Sequence, residues 1–123
     1  MRYLVLLTAA RPDVPPPPEL MAAIAQLGED AANSGTLVDT AGLAPNDLGA
    51  RVTVKDGELT VTDGPFAEAK EVISYVIYDV KDKAEAVEWT SRFMRVHRDL
   101  WPGWEGDSQI IPVFAPADLP PPT

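Results

Sequence analysis

The chain opens on a compact apolar run, Tyr3 to Thr8, that has no helical period and predicts a central strand buried on both faces. Pro12 and Pro15 to Pro18 end it, because consecutive prolines remove amide donors and hold the chain extended until Pro18-Glu19 can start a helix. From Glu19 onward Leu20, Ile24, Leu27 and Ala31 recur at helical spacing, and Gly35 supplies a left-handed stop. Thr36 to Asp39, with Leu43, forms a weaker extended stretch that ends in a turn at Asp47-Leu48-Gly49. Polar and apolar residues then alternate over Arg51 to Lys55 and Glu58 to Thr62 on either side of Asp56-Gly57, the pattern of an exposed two-residue hairpin.

Val72 to Val80 is mostly apolar and β-rich, and predicts a second central strand. Asp82 with Glu85 three residues on is a capping-box pattern that opens a helix from Lys83 to about Leu100. Its polar residues Glu85, Glu88, Arg92, Arg95 and Asp99 share one side; Ala86, Trp89, Phe93 and Val96 belong to the broad apolar face, with His97 near its middle. Ser108 to Phe114 predicts a last strand, whose Pro112 belongs at a sheet edge or an irregularity. The order is βαββαβ with an inserted β-hairpin, an α+β ferredoxin-like sandwich. Two helices would cover one sheet face. The other carries large apolar groups and is too small to stay wet, so the pattern predicts a homodimer stacked sheet on sheet.

Length and charge narrow this picture. At 123 residues and 46% hydrophobic the chain supports one core, so residues 1–115 read as a single domain and 116–123 as a proline-rich tail. A net charge of −9 argues against nucleic acid or an anionic membrane as partner, since either would demand a basic face. With no cysteine and one histidine, thiolate and multi-histidine metal sites within one protomer are excluded. The sequence suggests neither a metal nor a cofactor. The apolar run after Met1 is too short for a signal peptide and lacks a cleavage pattern, so the expected location is cytoplasmic.

The most distinctive segment is Asp63-Gly64-Pro65-Phe66-Ala67-Glu68-Ala69-Lys70-Glu71. Directly after a strand, glycine permits an unusual backbone angle and proline fixes the next residue, giving a rigid turn. Phe66 is expected to anchor the loop in the core, and Asp63 either caps free amides or faces a cavity. If extended, the segment sets Glu68 and Lys70 on one side and Glu71 on the other. An acid beside a lysine is either a proton-transfer pair or a salt bridge.

This segment closely resembles the signature of the DGPF branch of the YCII-related proteins. The likeness extends to the strand at Tyr3, Gly42-Leu43, Ala84 to Trp89 and Ile110 to Phe114. It implies a dimeric ferredoxin-like fold of the α/β-barrel type, related to small enzymes and binding proteins; the leading functional expectation is a pocket protein that binds a small organic molecule, with or without lyase- or isomerase-like acid–base chemistry. Relatives carry a histidine–aspartate pair with the histidine near the first strand or helix; this chain has no histidine before position 97, so that pair is not carried over. Members of the branch are also associated with extracytoplasmic-function sigma factors. That implies a second reading, a non-catalytic regulatory protein whose partner is a sigma factor.

A second candidate site is His97-Arg98-Asp99-Leu100-Trp101-Pro102-Gly103-Trp104. Trp101 and Trp104 flank a Pro-Gly turn, and His97 beneath them is either a general base or a helix-terminal histidine bound to carbonyls. The catalytic candidates are therefore His97, Asp63 and Lys70. The ligand-binding set is Asp63, Phe66, Glu68, Lys70, Glu71, His97, Trp101 and Trp104, provided the two segments border one cleft.

Overall fold

A computed structural model describes residues 1–66 and 70–115. Glu68 and the proline-rich tail, residues 116–123, lie outside the described residues. The elements are β1 (Arg2–Ala9), α1 (Pro18–Asn33), β2 (Leu37–Gly42), a single 3-10 turn (Asn46–Leu48), β3 (Ala50–Lys55), β4 (Glu58–Asp63), β5 (Glu71–Asp79), α2 (Lys83–Leu100) and β6 (Asp107–Pro112).

β1, β2, β5 and β6 form one antiparallel sheet in the order β2-β5-β1-β6, an α+β arrangement compatible with a ferredoxin-like sandwich. β1 lies in the middle because both its ladders are filled, whereas β6, with Pro112, takes an edge where a missing amide costs nothing. β3 and β4 pair as a separate two-stranded ribbon. Asp56 (φ 53°) and Gly57 (φ 79°) both adopt the left-handed backbone of a tight hairpin turn.

The period of two along β1 decides the core. Tyr3, Val5, Leu7 and Ala9 are buried and face the helices, where Ala31 of α1 and Ala86 and Trp89 of α2 meet Tyr3, Val5 and Tyr78. Leu20, fully buried, contributes about 2–3 kcal/mol of apolar burial. On the opposite face Leu4, between Ile77 and Ile111, and Leu6, between Tyr75 and Gln109, are only half-buried. The expectation that β1 is buried on both faces is therefore met on one face of the single chain, because both helices pack on the same side.

α1 begins with Pro18 at its first position and ends before Gly35, which at φ 75° supplies the left-handed stop. α2 is capped by Asp82, whose Oδ1 accepts from the Glu85 amide at 2.9 Å. The returning Glu85 carboxylate accepts from the Lys81 amide at 3.4 Å, so the capping box closes one residue early.

Two expectations for the signature change. Gly64 is absent from the positive-φ residues; what demands glycine is close packing, since a Cβ would lie 2.9 Å from the Asp47 Cα and overlap the Asn46 carbonyl oxygen. Phe66 is half-buried, outside the main core, with the Arg51 guanidinium 4.0 Å above its ring. It braces the base of the hairpin instead.

Candidate functional site

Between the sheet and the two helices lies a cavity of about 370 Å³. Val5, Leu7 and Val76 form its floor, Met21 and Ile24 of α1 one wall, and Thr90, Phe93 and His97 of α2 the other. A break in strand register opens this end of the sheet. Leu7 pairs with Ser74 but Thr8 with Val72, so Ile73 is left without a β1 partner and its carbonyl accepts from the Leu43 amide at 2.9 Å.

His97 is 5% exposed. Its Nδ1 lies 2.8 Å from the Phe93 carbonyl oxygen; a carbonyl only accepts, so Nδ1 carries the proton and Nε2 is the ring's acceptor. The imidazole sits between Phe93 and Trp104, each at a centroid separation of 4.6 Å, and Trp101 stacks on Trp104 at 6.3 Å. Burial disfavours the imidazolium and lowers the pKa below 6.5, against a smaller raising effect of the Phe93 hydrogen bond. The helix-terminal carbonyl contact and a place on the cavity wall thus occur together.

The lowered pKa gives a stability prediction. Unfolded chain binds a proton near the ordinary value of 6.5 that folded chain resists, so this contribution is complete above pH 6.5 and is lost as pH falls toward the depressed folded value. Chemical denaturation should show wild type losing more stability than His97→Gln below pH 6.5. Parallel pH curves would contradict the assignment.

At the cavity mouth stands Arg11, which the pattern of the sequence did not single out. Its Nε donates to Glu71 Oε1 and its Nη2 to the Leu43 carbonyl at 2.7 Å. The other Glu71 oxygen accepts from the Asn46 amide at 3.4 Å, and the Glu71 side chain is 13% exposed. Glu71 therefore joins β5 to the 3-10 turn and holds Arg11 in place. The signal was the short distance in the sheet: Glu71 pairs with Ala9, two residues before Arg11, a neighbourhood visible only once register is known.

The remaining candidates disperse. Asp63 is exposed at the end of β4, opposite Ala50, and does not line the cavity. Lys70 is exposed beside an open groove along the end of α2, with Arg95, Arg98 and Trp104. Phe66 stays with Arg51 at the hairpin. The two segments thus meet in part: Lys70 and Trp104 border the groove at the end of α2, while Glu71 holds Arg11, which shares the cavity lining with His97.

Thr90 also lines the cavity, and its buried Oγ1 finds no hydrogen-bond partner among the described residues. Burial pushes the hydroxyl of Tyr78 up to about 12, keeping it neutral. Among the described residues no group of three or more metal-ligating side chains converges, and no helix is long and apolar enough to cross a membrane.

The family model for the YCII-related domain matches residues 1–101. No curated protein matches the chain.

Proposed function

This chain belongs to the YCII-related family, and from that footing we propose that it is a homodimeric pocket protein of the DGPF branch that binds a small organic molecule between sheet and helices. The observation that carries this reading is the cavity of about 370 Å³ with a buried histidine in its wall, within the size range of small-molecule sites. The chemistry that suits it is proton transfer. Nδ1–H is committed to the Phe93 carbonyl, so Nε2 is the basic atom, and burial keeps the ring unprotonated near neutral pH, as a general base requires. Such a base serves a lyase- or isomerase-like step on a substrate held between the sheet and the helices.

A ligand bound to the native state alone raises the unfolding temperature, by the equivalent of about 2.7 kcal/mol at a hundredfold excess over Kd. A thermal screen of small organic molecules should yield stabilisers, and Ile24→Trp, which fills the cavity, should lose them while remaining folded. Stabilisers that act equally on Ile24→Trp would place the binding site elsewhere.

The half-buried face built from Leu4, Leu6, Ile77 and Ile111 supports the dimer, since a continuous apolar face on a small domain is stabilised by a second copy. Sedimentation at micromolar concentration should give a dimer, and Leu6→Glu a monomer. A monomeric wild type would rule the assembly out.

A further inference from the structure

Resting on the cavity reading above, we infer that the ligand is an uncharged molecule with an apolar body and a hydroxyl or carbonyl group, and that the site rejects the matching carboxylate. Arg11 is the one charged side chain among the described lining residues, and the Glu71 carboxylate already neutralises it. A carboxylate entering the cavity would shed its water among Val5, Leu7, Ile24 and Phe93 without gaining an unpaired cation. An uncharged ligand pays no such penalty.

Some of the other polar wall groups are occupied, and Ser74 and Tyr78 add neutral hydroxyls to the lining. Thr40 donates to the Tyr75 carbonyl at 2.8 Å, and Ser108 donates to the Met94 sulfur at 3.0 Å. His97 Nδ1 donates to Phe93, which leaves Nε2 as an acceptor. Thr90 Oγ1 has no partner among the described residues, and a rotation about its χ1 exchanges methyl and hydroxyl at the wall. Buried hydroxyls are rarely left unpaired, and Thr90 and His97 lie on the same wall of α2. A ligand hydroxyl can donate to Nε2 or accept from Thr90, which stand two helical turns apart on α2, and a carbonyl can accept from Thr90.

Calorimetric titration near pH 7 with para-ethylphenol, para-ethylbenzoate and ethylbenzene separates the possibilities, because the phenol is neutral there and the benzoate ionised. The phenol should bind at least about tenfold more tightly than the benzoate. Thr90→Val should weaken the phenol several-fold and leave ethylbenzene unchanged. Glu71→Gln, which removes the counter-charge from Arg11, should raise the affinity for the benzoate. Benzoate binding as tightly as phenol, or a phenol affinity indifferent to Thr90→Val, would overturn the inference while leaving the cavity reading intact. Binding of none of the three would overturn both.

Discussion

Gly64→Ala lowers stability by about 3 kcal/mol, seen as a fall of roughly 10 °C in the unfolding temperature. The added Cβ would overlap the Asn46 carbonyl oxygen and lie 2.9 Å from the Asp47 Cα and 3.0 Å from the Asn46 carbonyl carbon. All three are backbone atoms of the 3-10 turn, so no side chain can swing aside to relieve the clash. That turn is held from two more directions: the Gly64 amide donates to the Gly49 carbonyl at 2.9 Å, and Glu71 accepts from the Asn46 amide. Moving the turn therefore disturbs the hairpin base and the Glu71–Arg11 pair together. Gly28→Ala is the matched control: its Cβ meets nothing within 4 Å in the interior of α1, and it should stabilise by about 0.5–1 kcal/mol. Equal effects of the two substitutions, read by thermal denaturation, would refute close packing as the reason for Gly64.

Gly106→Ala costs less stability, about 1–2 kcal/mol, but changes the site more directly. Its Cβ would fall 2.5 Å and 2.7 Å from two atoms of the Trp104 indole and 3.2 Å from the Thr8 carbonyl oxygen. The backbone oxygen is fixed by the β1 ladder, so the indole is the group that must move. Trp104 is one of the two rings flanking His97, and displacing it admits water to the imidazole. The His97 pKa should then rise toward 6.5, measured from the pH dependence of its NMR signals. A pKa unchanged by Gly106→Ala would show that Trp104 does not shield the ring.

Both predictions concern glycines whose purpose was hidden in the linear sequence. Local rules place the strands, helices and hairpin turn, because Asp56-Gly57, Asp82, Gly35 and the periodicities at Tyr3 and Leu20 act on their own neighbours. Gly64 and Asn46 are separated by the whole β3–β4 hairpin, and no periodicity signals that they touch. The sequence left the nine-residue signature open between a rigid turn and a set of acid–base groups, and its described part builds the fold: Gly64 seats the 3-10 turn, Phe66 braces the hairpin, and Glu71 fixes Arg11. Arg11 went unnoticed because it follows a strand with no motif around it. His97 was legible from its position on the apolar face of α2, and the rings around it follow from helical spacing to Phe93 and from the turn that folds Trp104 back.

As the chain's single histidine, His97 reports on the cavity without assignment ambiguity. The most direct test follows its imidazole NMR signals while para-ethylphenol is titrated into the protein. A ligand site in the cavity predicts a saturable shift of those signals that disappears in Ile24→Trp. Signals that stay unmoved at saturating ligand, or that move equally in Ile24→Trp, would contradict a binding site between the sheet and the helices.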